Sequence, residues 1–499
     1  NQRNFKKAQY ETDPRGDDSL QGYRVFEVEL TKLTLTALEE FDLGKRDKSR
    51  CKNFFALGMV YWMFSRPLDN TVGWLHKKFA NKPVIAEANV KALKAGWNYC
   101  DITGAFQVRY EVEPAKLEPG TYRNINGNSA LALGLVAASR RSGLPIFLGS
   151  YPITPASTIL HELARYKQFN VVTFQAEDEI SAVCSAIGAA FGGSLAVTST
   201  SGPGLALKSE GMNLAVMTEL PLVVCNIQRA GPSTGMPTKT EQADLLQALY
   251  GRNGESPIPV IAPSSPADCF FAAIEACRMA LQYMVPVVIL SDGYLANGSE
   301  PWKLPEVEDL PDLRTEFHSD AEDFQPYRRN PETLARNWAV PGTPGLQHRI
   351  GGLEKQDVTG DVSYDPENHE RMVRLRAEKV ERIAATLDPL EVFGDVDGGE
   401  LLVLGWGSTE GAITGAVNEG RAQGLPVSRV HLRHLSPLPR DLPDILSRFD
   451  KVLLPELNSG QLALILRGRF LKDIVSMTKI QGKPFGRTEI LGKIRQLLG

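Results

Sequence analysis

Four stretches of this 499-residue chain carry side chains suited to binding and moving charge. They are Gly149-Ser150-Tyr151-Pro152-Ile153-Thr154-Pro155, Gln175-Ala176-Glu177-Asp178-Glu179-Ile180-Ser181-Ala182, Ser199-Thr200-Ser201-Gly202-Pro203-Gly204, and Gln228-Arg229-Ala230-Gly231-Pro232-Ser233-Thr234-Gly235-Met236-Pro237-Thr238. A carboxyl group held in apolar surroundings can share a proton as a general acid or base. Glu177 and Glu179 compete for such a role. Arg229 ends an apolar run, where an unpaired guanidinium would be costly. A small-molecule carboxylate is a natural bidentate partner for it, and a structural ion pair is the alternative. The hydroxyls of Thr154, Ser233 and Thr238 could bind ligand oxygens or simply cap turns.

Each stretch follows a short apolar run: 144–148, 171–174, 195–198 and 221–227. Helical patterns separate them. This alternation predicts an α/β fold with a mainly parallel sheet covered on both faces. In such sheets ligands bind beyond the carboxyl ends of the strands, where all four stretches would lie. Pro155 biases Thr154 away from the helical region. The alternative is an ordinary strand-to-helix turn with Ser157 or Thr158 as N-cap of the next helix.

The order Tyr-Pro-Ile-Thr-Pro, Glu-Asp-Glu, Thr-Ser-Gly-Pro-Gly and Arg-x-Gly-Pro-Ser-Thr-Gly resembles the pyrimidine-binding domain of the 2-oxoacid:ferredoxin oxidoreductases. Within that family the chain is most similar to the α subunit of the 2-oxoglutarate enzymes, in the form with a fused γ domain. The resemblance implies a multidomain α/β protein: a γ-type α/β domain over 1–108, a linker over 109–126, a pyrimidine-binding domain over 127–302, a connecting excursion over 303–398 and a transketolase C-terminal-like domain over 399–499. The family's glycine-rich γ opening is absent, so either the chain starts inside that domain or an upstream piece is missing from this numbering. The implied cofactor is thiamine diphosphate, which supplies the electron sink that no side chain provides. By resemblance, Glu179 shares a proton with the aminopyrimidine. It fits the family pattern without a gap through to Gly204, whereas Glu177 and Asp178 better fit a charged helix start. Ser201, Gly202 and Pro203 would line the cofactor; Thr154, Arg229, Ser233 and Thr238 would bind substrate.

The diphosphate half is missing. Ser291-Asp292-Gly293 lacks the first glycine of the Gly-Asp-Gly magnesium motif, so Asp292 is expected to cap a turn. The near match Gly394-Asp395-Val396-Asp397-Gly398-Gly399 lies in a linker. The six cysteines form no Cys-x-x-Cys, and Cys184 and Cys225 are expected to be buried thiols. His431 and His434 lack companions for a metal site. The resemblance therefore implies a β subunit carrying Mg²⁺, the diphosphate motif and a [4Fe-4S] cluster. It also implies ferredoxin as electron partner, coenzyme A as co-substrate and a dimer of αβ pairs. The implied reaction interconverts 2-oxoglutarate, coenzyme A and oxidised ferredoxin with succinyl-CoA, carbon dioxide and reduced ferredoxin. Rivals are a pyruvate or other 2-oxoacid enzyme, a transketolase-like transferase, which would need the diphosphate motif in this chain, and a non-catalytic assembly subunit with a decayed thiamine site.

A net charge of −4 and 23% charged residues give no electrostatic case for nucleic acid or an anionic membrane. A cytoplasmic location is the expectation. Further expectations are a strand over 23–29, helices over 31–43, 53–64, 74–79 and 85–95, and a helix over 131–140 capped by Gly127 to Ala130. The excursion, largely a surface connection, should return to a helix over 370–387. Gly407-Ser408-Thr409 could bind an anion or act as ordinary capping. The missing half-site generates a test. The isolated chain should carry no iron and bind thiamine diphosphate only weakly, as read by metal analysis and calorimetry; tight Mg²⁺-dependent binding would contradict it.

Overall fold

The computed structural model describes residues 10–104, 106 and 108–499. The chain divides into two compact units, Asn1–Pro119 and Gly120–Gly499.

The described part of the first unit is helical: Leu30–Ala37, Lys45–Arg50, Lys52–Met63, Asp69–Lys78 and Pro83–Thr103. Pro83 opens the last helix, and left-handed Gly104 (φ 57°) closes it. Buried Phe55, Met59, Trp62 and Cys100 form one of its cores. The strand expected over Tyr23–Glu29 is absent; that segment is irregular. No strand among the described residues of this unit could pair with it, and an unpaired strand leaves its backbone groups to water.

The second unit holds two larger sheets, one mainly and one wholly parallel. The larger has β2 (Ile146–Ser150), β3 (Val171–Gln175), β4 (Leu195–Thr200), β5 (Leu222–Gln228), β6 (Val260–Ile261), β7 (Pro286–Asp292) and β11 (His434–Ser436). Their order is β11-β6-β7-β5-β4-β2-β3. All neighbours are parallel except β11 with β6. A separate antiparallel pair joins β1 (Tyr122–Asn126) to β8 (Ser299–Lys303). The smaller sheet runs β10 (Val427–Leu432), β9 (Gly399–Trp406), β12 (Phe449–Glu456), β13 (Val475–Thr478), all parallel.

The period-2 alternation of β5 distributes its side chains between two cores. Val223, Cys225 and Ile227 pack with Leu135, Leu148 and Val197 on one face. Leu222 and Val224 pack on the other with Val183 and Leu290, and with Leu404 and Trp406 of β9. The C-terminal sheet thus covers part of the large sheet, and β11, which follows β10 in the chain, joins the edge of the large sheet. That shared core is why 120–499 is one compact unit.

Several local expectations are corrected. The helix after β2 starts at Ser157 with Ala156 as N-cap; Ser157 Oγ donates back to Ile153 O at 3.1 Å and Thr158 Oγ1 to Pro155 O at 3.3 Å. The helix expected from Leu131 starts at Gly127, because Asn126 accepts from Ser129 N and caps it. Cys184 is exposed, on the outer side of helix Glu179–Phe191; Cys225 is buried. The excursion's helix is Pro366–Ile383, capped by Asp365, which accepts from Asn368 N.

The excursion is only in part a surface connection, since Tyr327, Trp338, Arg336 and Lys379 are buried. Glu219 anchors it. Its carboxylate accepts from Arg329 Nη2 at 2.7 Å and Nη1 at 2.8 Å, and from Lys379 Nζ. Burial pushes this carboxyl up, but Lys379 and Arg329 outweigh it and hold it well below the ordinary glutamate range. Glu219 therefore contributes stability that is present above the unfolded glutamate pKa and is lost as pH falls through its depressed folded value. Glu219→Gln leaves two cations without their buried partner and should cost about 3–5 kcal/mol, measured by urea unfolding at pH 7. The deficit relative to the native chain should shrink in acid.

Candidate active site

The strand order places the four motif-bearing ends side by side as β5-β4-β2-β3. Thr154 follows β2, Glu179 follows β3, Ser201 follows β4 and Arg229 follows β5. Parallel pairing puts all four ends on one edge. Ser150 and Ser199 hydroxyls meet at 2.9 Å and tie β2 to β4 there.

Glu179 is the first residue of helix Glu179–Phe191, and Asp178 caps that helix by accepting from Ser181 N at 2.7 Å. Glu179 is 7% exposed, whereas Glu177 and Asp178 are exposed. The two glutamates are thus separated by environment: one faces solvent, the other the turn after β4. An ideal Cβ on Gly204 would lie 1.9 Å from Thr200 Oγ1 and 3.0 Å from Glu179 Oε1. Only glycine allows that approach.

Arg229 is 7% exposed, and its Nη1 donates to Thr154 O at 2.6 Å. Its Nε has no hydrogen-bond partner among the described residues. Thr154 itself is exposed and precedes a cis peptide to Pro155. Asn128 Nδ2 donates to Pro155 O at 2.9 Å and holds this turn from beneath. Ser233 and Thr238 lie on the exposed loop after Arg229, with Ser233 at φ 54°. The structure gives no bond joining either to Thr154 or Glu179. Ser201 is buried as N-cap of helix Gly202–Leu207, and its Oγ is unpartnered among the described residues.

Residue types alone did not single out a second group of polar side chains. Lys208 is fully buried, with Nζ donating to Glu179 O at 2.9 Å. Burial pulls its ammonium down to about 8, against the attraction of Glu179, Asp178 and Cys184. Asp244 Oδ2 accepts from Asn226 Nδ2 at 2.9 Å, and Asp244 N donates to Gln228 Oε1 at 3.0 Å. Burial pushes the Asp244 carboxyl up to about 6. Burial also raises Glu241, whose carboxylate accepts from the N–H groups of Gly231 and Gly482. Asp292 caps helix Gly293–Asn297, accepting from Tyr294 N, Leu295 N and Thr240 Oγ1. The available signal was the interruption of β5 by Asn226 and Gln228, two polar residues on one face of an otherwise apolar run.

Gln242 extends this network into the smaller sheet. Its Nε2 donates to Trp406 O at 2.9 Å, and its Oε1 accepts from Leu457 N at 3.1 Å. Buried Glu456, raised by burial, accepts from Leu462 N, Ala463 N, Asn458 Nδ2 and Trp406 Nε1. Thr409 Oγ1 donates to Trp406 O, so the Gly407–Thr409 turn is capped from within. His431 and His434 each pair with a glutamate, Glu410 and Glu275. Among the described residues no His/Cys/Asp/Glu group could hold a metal ion, and no helix is long and apolar enough to cross a membrane.

Residues 140–365 match the family model described as the thiamine diphosphate-binding domain of pyruvate flavodoxin/ferredoxin oxidoreductase. The class is therefore that of thiamine diphosphate-binding α/β domains, with the motif turns at the sheet's carboxyl edge. Among curated proteins, the chain is 56% identical over 496 residues to the 2-oxoglutarate oxidoreductase subunit KorA of Mycobacterium tuberculosis, covering 99% of this chain and 76% of that one. It is 34% identical over 339 residues to the 2-oxoglutarate synthase subunit KorA of Archaeoglobus fulgidus, covering 68% and 88%. Among solved structures it superposes on the 2-oxoglutarate:ferredoxin oxidoreductase of Magnetococcus marinus, which has 2-oxoglutarate, coenzyme A and succinyl-CoA bound. The TM-score is 0.88 at 30% identity, covering 98% of this chain and 83% of that one. The chain belongs to the 2-oxoacid:ferredoxin oxidoreductase family, among its 2-oxoglutarate-type α subunits.

The approach of Glu179 to Gly204 generates a paired test. Gly204→Ala should destabilise the chain by about 1–3 kcal/mol in urea unfolding, because the new methyl meets Thr200 and Glu179. Gly188→Ala, in the same helix as Glu179 with open space around it, should instead stabilise by about 0.5–1 kcal/mol.

Proposed function

We propose that this chain is the α subunit of a thiamine-dependent 2-oxoglutarate:ferredoxin oxidoreductase. It would interconvert 2-oxoglutarate, coenzyme A and oxidised ferredoxin with succinyl-CoA, carbon dioxide and reduced ferredoxin. The observation that carries the reading is the burial of Glu179 against the Gly202–Gly204 turn, beside a buried arginine held on Thr154.

The residues present fit the pyrimidine half of thiamine diphosphate. Glu179 offers a carboxyl shielded from water, and Ser201 Oγ a buried hydroxyl with no partner among the described residues. When bound, the cofactor supplies the electron sink for decarboxylation. Glu179 would hold or release a proton at its carboxyl oxygen as the aminopyrimidine requires. Gly202 and Pro203 would form the floor of the same turn. Arg229 would grip a substrate carboxylate with the donors left free by its single bond to Thr154 O, and the Thr154 hydroxyl would meet the oxo-acid end. Ser233 and Thr238, on the exposed loop, would contact the rest of the substrate and bear on the choice among 2-oxoacids.

The same reading assigns Mg²⁺, the diphosphate motif and a [4Fe-4S] cluster to a β subunit. It also assigns a γ-type role to 1–108, with a linker over 109–126. A pyrimidine-binding role falls to 127–302, a connecting role to 303–398 and a transketolase C-terminal-like role to 399–499. Assembly as a dimer of αβ pairs in the cytoplasm, passing electrons to ferredoxin, completes it.

Exchange of the thiazolium C2 proton in the assembled complex tests the choice of carboxylate. Glu179→Gln should slow it about 10²–10⁴-fold, because an amide cannot share a proton as a carboxyl does. Glu177→Gln, at an exposed site, should leave it near normal. A slow Glu177 variant with a normal Glu179 variant would reverse the assignment; normal exchange in both would remove this chain from cofactor activation.

A further inference from the structure

Residues 231–238, which carry Ser233 and Thr238, leave the end of β5 as a closed loop. Ala230 N donates to Lys239 O at 3.0 Å, Met236 N to Ala230 O at 2.9 Å and Lys239 N to Met236 O at 2.9 Å. Gly235 (φ 48°) is required inside the loop, since a Cβ there would lie 2.1 Å from Ala230 O. Apart from half-buried Pro237, the loop residues are exposed. The bonds at the base fix where the loop begins and ends. They leave open what holds it in place on the sheet edge.

A turn from the far end of the chain bears on it. Gly482 (φ 63°) lies between β13 and the last helix, Arg487–Leu498. A Cβ on Gly482 would stand 2.8 Å from Lys239 Cβ and 2.9 Å from Met236 Cε. Met236 Cε is the free end of a flexible side chain and can give way. Lys239 Cβ cannot, because it is bonded to the backbone whose N–H and carbonyl close the loop, one residue after Thr238. Buried Glu241 adds a second tie, its carboxylate held by the N–H groups of Gly231 and Gly482.

The turn is itself firmly held. Lys479 N donates to Glu456 O at 3.0 Å, and Lys479 Nζ reaches Pro484 O at 3.0 Å and Glu489 Oε2 at 2.7 Å. Phe485, just beyond, packs into the core of the C-terminal sheet. Both ends of the turn are thus anchored, with Gly482 between them. The chain leaving the loop follows the same domain: Gln242 N donates to Leu457 O, Asn458 Nδ2 to Gln242 O and Gln461 Nε2 to Ala243 O.

We infer that this turn of the C-terminal sheet domain determines specificity: Gly482, bearing on Met236 and Lys239, sets where Ser233 and Thr238 stand and so which 2-oxoacid the site prefers. The inference rests on the reading that those two hydroxyls contact the substrate beyond Arg229. 2-Oxoglutarate carries a second carboxylate that needs donors at its far end, and pyruvate carries only a methyl group there. A displaced loop therefore loses contacts to the first acid and none to the second. Gly482 is a positioning residue, since it touches the loop and not the substrate.

The experiment measures KM and kcat for both acids in the assembled complex, with amide hydrogen exchange over 231–238 read alongside. Gly482→Ala drives a methyl against Lys239 Cβ. Exchange in the loop should quicken, and KM for 2-oxoglutarate should rise about two- to tenfold, the worth of one hydrogen bond. kcat and KM for pyruvate should stay near native, as expected when only binding is lost. Gly424→Ala is the control. Gly424 is left-handed too (φ 83°), with no atom within 4 Å of its Cβ position, so the variant brings backbone strain without touching the loop. It should lower the melting temperature and leave loop exchange and both KM values native. Met236→Ala, which opens space under the loop without strain, serves if Gly482→Ala fails to assemble, with the same changes expected. A Gly482 or Met236 variant that behaves like Gly424→Ala, or a loop that exchanges faster with both KM values native, overturns the inference. Ser233→Ala and Thr238→Ala separate it from the reading beneath it. If neither raises KM for 2-oxoglutarate, the hydroxyls do not meet substrate and that reading fails. If either does while Gly482→Ala stays native-like, the reading stands and the role of the turn falls.

Discussion

One hydrogen bond, from Arg229 Nη1 to the carbonyl of Thr154, joins the end of β5 to the turn after β2 across the intervening β4. The rest of the candidate site depends on it. A guanidinium this buried needs an acceptor, and a backbone carbonyl supplies one without neutralising its charge. The positive charge therefore survives at the sheet edge for an anionic ligand. A carboxylate in place of the Thr154 carbonyl would have made a closed ion pair with nothing left to offer.

The turn between Ser201 and Gly204 is the second constraint. Two carboxyl side chains lean on its backbone where a Cβ would be, Glu179 at one end and Asp244 at the other. Each is kept from water by the same packing that lets it come close. Lys208 ties the end of the short helix that follows this turn to the first residue of the Glu179 helix. The turn and the glutamate cannot move independently.

The C-terminal sheet is part of this arrangement. Trp406 and Leu404 complete a core against β5 and β7, and Gln242 bonds to Trp406 O and Leu457 N just beyond the exposed loop that follows β5. The excursion is fixed in a similar way on the far side of the unit, by Glu219 between Arg329 and Lys379. Neither connection could be read from local patterns, because the partners lie more than a hundred residues apart in sequence.

The sequence by itself determined the parallel strands and the order of their motif-bearing turns. Those follow from short-range physics: apolar runs of strand length, glycine and proline at the breaks, and helical periodicity between. It also marked Glu177 and Glu179 as candidate acids, with Glu179 preferred on the family pattern, and Arg229 as a charge in an apolar place. Local reading failed where a neighbour was needed. The segment Tyr23–Glu29 has strand-like residues and, among the described residues of its unit, no strand to pair with, and Cys184 sits exposed on an otherwise apolar helix. Only the tertiary structure decided that Glu179 is buried and Glu177 exposed, since two residues along a helix start face different surroundings. Only it brought Asp244 and Lys208 to the turn after β4. Burial and charge proximity are properties of the packed sheet, and they set which of these ionisable groups hold a charge, which is a quantity no window of sequence contains.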